Sequence, residues 1–231
     1  MPILGASFIF LTIFNKTIME SKQVLEVLNL LNREYSRAKY YLNFSSPLEL
    51  LVAAILSAQV KDEVVNALVP RLFEKYKTAK DYADANLQAL INDVKTVTFA
   101  GNKAKNIKNA CNILLEKYDS KVPNTMETLT SLPGIGRKTA NTILINAFGI
   151  VEGIPADTHV IRLSNRLGWS KGKNGDAVER DLMKIIPKEY WKKLPYQLKA
   201  HGRAVCKAPT PICSKCLLNE KCPKVGVTKS L

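Results

Sequence analysis

Apolar residues recur along this chain at helical spacing, and no stretch alternates in the way a half-buried strand does. Between Ser21 and Arg37, Val24, Leu25, Leu28 and Leu31 fall on one face, with Ser21 standing where an N-cap belongs. Ser46-Pro47-Leu48-Glu49 has the form of a capping box with proline at the first helical position, and it opens the apolar run Leu50 to Leu56. The pattern predicts a helix over 62–76, broken or kinked at Pro70, and shorter helices over 78–85 and 87–94. A longer helix over 103–118 carries Ile107, Ala110, Cys111 and Leu114 in register. Asn124-Thr125-Met126-Glu127 reads as another capping box. Pro133, Gly134 and Gly136 then force a tight turn before a helix over 137–148.

Past Gly149 the character changes. A loop through Gly153 and Pro155 leads to Asp157-Thr158-His159 and a helix ending near Leu167. The loop Lys171-Gly-Lys-Asn-Gly175 precedes helices over 176–186 and 196–205. No internal repeat and no low-complexity segment interrupts the series. The expected fold class is all-α, built from many short helices, with a break near Ile150.

Charge adds direction to this pattern. The 231 residues carry a formal net charge of +14, unevenly spread. Up to Ser131 there are 16 basic and 13 acidic residues; from Leu132 onward there are 18 and 7. A surface that basic faces a polyanion. With 46% apolar residues the chain has the composition of a globular protein, which excludes disordered and collagen-like classes. The apolar start, Ile3 to Phe14, has no Lys or Arg before it, lacks a small-residue cleavage site and is too short to span a bilayer. Residues 1–18 are read as an upstream extension of a cytosolic protein with no membrane segment, Met19 being an alternative start.

Four of the five cysteines, Cys206, Cys213, Cys216 and Cys222, lie within 17 residues at the spacing C-x6-C-x2-C-x5-C. Thiolates that close in sequence can converge on one metal centre. Zinc ribbons bring two C-x2-C pairs and only one is present, so a 4Fe–4S cluster fits better than zinc, with a disulfide pair third. Lys199, Arg203, Lys207, Lys215, Lys221, Lys224 and Lys229 surround them against a single Glu220, which suggests a phosphate-facing surface.

The segment Leu132-Pro133-Gly134-Ile135-Gly136-Arg137-Lys138-Thr139-Ala140 is a strong helix-hairpin-helix signal. Gly134 and Gly136 permit backbone conformations closed to other residues, and the amides opening the second helix form a seat for a DNA phosphate. Lys138 admits two readings. One is a phosphate contact. The other is a nucleophile, because the positive end of its helix and neighbouring Arg137 both disfavour the ammonium form. Asp157 likewise is either the acidic partner of that lysine or the N-cap of its own helix. The residue pattern alone leaves both choices open.

From Ser46 to Cys222 the chain resembles endonuclease III, the bifunctional DNA glycosylase/AP lyase of the helix-hairpin-helix superfamily. The resemblance rests on Leu56-Ser57-Ala58-Gln59, the hairpin block through Asn141, Ala156-Asp157-Thr158-His159, Asn165-Arg166, Gly172-Lys173-Asn174, His201-Gly202-Arg203 and the cysteine spacing. It implies two helical domains flanking a DNA cleft: a six-helix domain over 40–150 with the hairpin, and an iron–sulfur cluster domain over 19–39 and 151–231. It implies a monomer acting on double-stranded DNA that holds damaged pyrimidines or abasic sites. Lys138 would attack C1′ of the flipped nucleotide and hold the sugar as a Schiff base until β-elimination cuts the strand. Asp157 would assist the lysine and stabilise the developing positive charge. Gln59 matches the residue that fills the gap left by the flipped nucleotide, and Phe99 stands at the position of an apolar wedge, usually Leu. Gly134, Gly136, Arg137, Thr139, His159 and Lys215 are implied DNA contacts, and the four cysteines the ligands of a 4Fe–4S cluster.

Two stretches depart from the family pattern. The loop from Cys206 to Cys213 holds one basic residue, which shifts phosphate grip toward Lys199, Lys215 and Lys221. Val97-Thr98-Phe99-Ala100-Gly101-Asn102 changes the wedge loop. Rival readings meet specific obstacles. An adenine-mismatch glycosylase carries a catalytic Glu where Ala53 and Ala54 stand, a thymine-mismatch glycosylase has Tyr in place of Lys138, and a non-catalytic DNA-binding module has no need of Asp157.

Overall fold

The computed structural model describes residues 21–231, and among them every regular element is a helix. The expectations for residues 1–18 and Met19 lie outside the described residues. Two compact units are present: Tyr40–Pro155, and residues 21–39 together with Ala156–Leu231. No described helix is long and apolar enough to cross a membrane.

In the unit Tyr40–Pro155 the axis of the core is α2 (Pro47–Leu56). Ser46 Oγ accepts the Glu49 amide at 3.2 Å. The Glu49 carboxylate, however, takes the amide and the hydroxyl of Ser45, both at 2.6 Å, so the box closes on the residue before the cap. All side chains from Leu50 to Leu56 are buried, which leaves that run without a solvent face. It packs against α3 (Asp62–Lys75), α6 (Ala100–Lys117) and α8 (Arg137–Ile143). Truncating one of its leucines to alanine costs about 2–5 kcal/mol.

Of the break or kink expected at Pro70, the break is absent: helix α3 runs unbroken past it. Pro70 sits on the exposed face, where water can take the carbonyl that the missing amide leaves free. Short α4 (Ala79–Asp84), with a Thr78/Asp81 capping box, and α5 (Leu87–Asp93) both pack on α6. Helix α6 begins at Ala100 rather than Lys103, because the Phe99 carbonyl already receives the Lys103 amide at 3.0 Å. The expected box at Asn124 is replaced by a simple cap one residue on: Thr125 Oγ1 accepts the Thr128 amide at 3.3 Å and opens α7 (Met126–Thr130). Beyond α8 the chain continues as one π-helical stretch, Leu144–Phe148, ended by Gly149.

The other unit holds α1 (21–34), α9 (Thr158–Arg166), α10 (Gly175–Ile185) and α11 (Leu194–Ala204), with 3-10 turns at Lys188–Tyr190 and Cys213–Lys215. Helix α1 is already helical at Ser21, so Ser21 is not its cap. Its apolar face buries Val27, Leu28 and Leu31. Polar contacts fix its register: Gln23 Nε2 donates to Lys221 O at 2.8 Å, and Gln197 Nε2 donates to Asn32 Oδ1 at 3.1 Å.

Candidate active site

The hairpin is set by two apolar anchors and one left-handed residue. Leu132 and Ile135 are buried, and the Ile135 amide closes the turn on Leu132 O at 3.1 Å. Gly134 has φ +82, and a Cβ there would lie 3.0 Å from the Asn106 amide nitrogen. Gly136 differs from expectation. As N-cap of α8 it has φ −94 and ψ 174, a backbone any residue adopts, and a Cβ would meet nothing within 4 Å. Its missing side chain therefore leaves open space at the mouth of the helix rather than relieving strain. Arg137 and Lys138 are exposed in the first turn of α8, while Thr139 is half-buried beside buried Ala140.

Gln59 and Phe99 stand on two turns of the same unit. Both have φ +57, the left-handed region that non-glycine residues enter at a cost of about 1–2 kcal/mol. Both are exposed, Phe99 to 63%, and Thr98 Oγ1 joins the turns by donating to Gln59 O at 3.2 Å.

Asp157 belongs to the other unit, so Lys138 and Asp157 are carried by different units. It is the N-cap of α9: Oδ1 accepts the amides of His159 at 2.8 Å and Val160 at 2.9 Å. Both bonds use one oxygen, and Oδ2 accepts neither. His159 is half-buried, and burial lowers its pKa from the usual 6.5, which favours the neutral ring. Its Nδ1 lies 3.2 Å from Arg162 Nη2, and a Cβ on Gly202 would come within 2.7 Å of that same nitrogen. Glycine at 202 is what lets α11 meet α9 there.

None of the five cysteines is joined in a disulfide, against the third reading of the spacing. Cys206, Cys213, Cys216 and Cys222 line one cavity of about 30 Å³, walled also by Leu163, Val205 and Ile212. Among the described residues no three His, Cys, Asp or Glu side chains converge closely enough to hold a single ion. Donors surround the sulfurs: Arg166 Nη1 lies 3.2 Å from Cys206 Sγ, His201 Nε2 3.4 Å from Cys216 Sγ, and the Lys224 amide 3.4 Å from Cys222 Sγ. Burial raises the Cys216 and Cys222 pKa values. Lys215 is exposed beside this cavity, whereas Lys221 is engaged at 2.5 Å with Glu26 and ties down α1.

The pattern reading missed Lys103. It is 5% exposed, and its Nζ donates to Leu56 O at 2.8 Å and Ala58 O at 2.7 Å. Its position four residues before Ile107, on the apolar stripe of α6, was the available signal.

Residues 52–188 match the HhH-GPD superfamily of base excision DNA repair proteins. The endonuclease III of Synechocystis sp. is 43% identical over 212 residues, spanning 92% of this chain and 97% of that protein. That of Escherichia coli is 38% identical over 204 residues, spanning 88% and 96%. A solved structure of a trapped endonuclease III–DNA covalent intermediate matches with a TM-score of 0.84 at 40% identity, covering 88% of this chain and 96% of that one. A thermostable thymine-DNA glycosylase, at 20% identity and a TM-score of 0.78 over 90% of this chain and 97% of that one, shares the fold. Hairpin, lysine, capped aspartate and cysteine cavity thus occur in a chain alike over nearly its whole length to proteins of one kind, and it belongs to the endonuclease III family within the HhH-GPD superfamily.

Proposed function

We propose that this protein is a base-excision DNA glycosylase with AP lyase activity, acting as a monomer on oxidised pyrimidines and abasic sites in double-stranded DNA. The observation that carries the reading is Lys138, exposed in the first turn of α8 directly behind the glycine turn, in a chain 43% identical to an endonuclease III. The positive end of the helix favours the neutral amine. That amine attacks C1′ as the glycosidic bond breaks, and the base leaves with the bonding electrons and takes up a proton. Ring opening leaves the sugar as a Schiff base on Lys138. Removal of a C2′ proton then expels the 3′ phosphate, and water releases the lysine. Asp157 is assigned to assisting the lysine and offsetting positive charge on the sugar, its Oδ1 anchored by two amides.

Hairpin and flanking residues are assigned to binding. The amides opening α8, with Gly136 leaving space before them and Arg137 and Thr139 beside them, receive a backbone phosphate, Gly134 supplying the turn. Gln59 fills the gap left by the flipped nucleotide and Phe99 wedges the opposite strand, which extrusion of a base from a duplex requires. His159 and Lys215 add contacts to the backbone. A cytoplasmic location, with the nucleoid in a prokaryotic cell, goes with this reading.

The cysteine cavity fits a 4Fe–4S cluster. A zinc ion holds its thiolates about 2.3 Å from one centre. Four cysteines at the irregular spacing C-x6-C-x2-C-x5-C, lining one cavity with Arg166, His201 and the Lys224 amide beside their sulfurs, suit an iron–sulfur core. Cys206, Cys213, Cys216 and Cys222 would hold it, and when bound it supplies a cross-link among loops rather than chemistry on the substrate.

Borohydride added during reaction with a thymine-glycol duplex tests the proposal. A covalent protein–DNA adduct is expected from this protein and none from Lys138→Gln. Absence of an adduct on both oxidised-pyrimidine and abasic duplexes would end the bifunctional reading.

A further inference from the structure

Lys103 buries a charge on a helix face that otherwise packs apolar side chains, and its acceptors are two backbone carbonyls rather than a carboxylate. Leu56 O is among the carbonyls left unbonded at the end of α2, where the helix dipole is negative, so the ammonium caps that helix. Ala58 O comes two residues later, directly before Gln59. The next carbonyl, that of Gln59 itself, accepts from Thr98 Oγ1 at 3.2 Å. On the other side the Lys103 amide donates to Phe99 O at 3.0 Å. One short segment, Thr98 to Lys103, therefore grips three carbonyls around Gln59 and one at Phe99. Both residues so held are exposed and left-handed, a conformation that persists only where the surroundings impose it.

We propose that Lys103 is a positioning residue: its ammonium, together with the Thr98 hydroxyl, fastens the Gln59 turn to the Phe99 turn so that the two side chains enter DNA as one preorganised unit. This rests on the assignment of Gln59 and Phe99 to the gap and the wedge. A plain helix cap would affect folding alone, whereas a tie between the two turns affects the step that needs both side chains inserted in a duplex. Ordering them in advance removes an entropic cost from that step.

The test compares single-turnover base release from a thymine-glycol duplex with β-elimination at an abasic site in single-stranded DNA, where there is no helix to plug. In Lys103→Met the duplex rate should fall between roughly tenfold and a hundredfold, as a misplaced insertion implies, and the single-strand rate far less. Lys103→Arg, which keeps a cation with several donors, should recover part of the loss. Adding Lys103→Met to Gln59→Ala should lower the duplex rate little beyond Gln59→Ala alone, because residues acting through one element are not additive. If Lys103→Met does not fold, Thr98→Val carries the test, since that side chain is exposed, and the same selective duplex loss is expected. Equal losses on both substrates, or losses that multiply with Gln59→Ala, would overturn the tie. So would wild-type duplex rates in Lys103→Met or Thr98→Val. An unsubstituted protein inactive on both DNAs would instead overturn the glycosylase and lyase reading itself.

Discussion

Asp157 holds two roles that a pair of substitutions separates. Its Oδ1 accepts two amides at the start of α9, and its charge is assigned to the sugar. Asp157→Ala removes both functions, and loss of such a cap costs about 0.5–2 kcal/mol. In a chain of this size each kcal/mol lowers the melting temperature by roughly 2–4 °C. Asp157→Asn keeps an oxygen for the same amides and loses only the charge against the helix dipole, about 0.3–1 kcal/mol. The two variants should therefore differ in stability yet be alike in chemistry. Base release should fall in both by about 10²–10⁴-fold, the range for removing a positioned acid–base group. Thermal unfolding and single-turnover base release on the same preparations measure both quantities. An Asp157→Asn enzyme that releases the base at the unsubstituted rate would refute the catalytic role and leave the carboxylate a cap. Equal loss of stability in the two variants would refute the cap.

The hairpin glycines should behave oppositely. Gly134→Ala, at φ +82 and against Asn106, should cost about 1–2 kcal/mol from backbone conformation before any contact is counted, whereas Gly136→Ala should stay below about 1 kcal/mol and weaken duplex binding instead; denaturant unfolding and DNA titration compare them. The purified protein should be brown, with absorption near roughly 400 nm that Cys216→Ser abolishes; colourless protein carrying zinc would overturn the cluster assignment. His159, one of two histidines, should titrate by NMR with a midpoint below 6.5, because burial disfavours its charged form. Since its folded pKa is depressed, its contribution to stability is complete above pH 6.5 and shrinks as the pH falls below that, so His159→Gln should lessen the acid sensitivity of unfolding. Duplex affinity should fall steeply with salt whether or not a lesion is present, as phosphate-dominated binding does. A flat salt response would contradict the phosphate role of the basic C-terminal half.

What could be read without a structure was whatever depends on neighbours in the chain. The period of apolar residues located the helices, since side chains three or four apart share a face, and Ser46 and Asp157 were legible as caps from their places before apolar runs. The cysteine spacing, the hairpin block and the excess of basic residues after Leu132 are likewise linear features. Ends were misjudged where a single bond or a solvent-facing position decided them. Thr125 rather than Asn124 caps α7, and exposed Pro70 leaves α3 intact.

Tertiary structure decided the residues whose partners lie far along the chain. Lys221 reads as one more phosphate-seeking lysine until Glu26 meets it from α1. Gly134 and Gly136 look alike in sequence, yet Asn106 and a left-handed backbone constrain only the first. Lys103 resembles a surface lysine at a helix start until the end of α2 brings two carbonyls to its ammonium. The chain alone determines which faces seek burial and which groups have chemistry to offer. Only folding determines which charge is taken out of water and by whom it is met, because that free energy depends on atoms that packing, not sequence proximity, brings within hydrogen-bond reach.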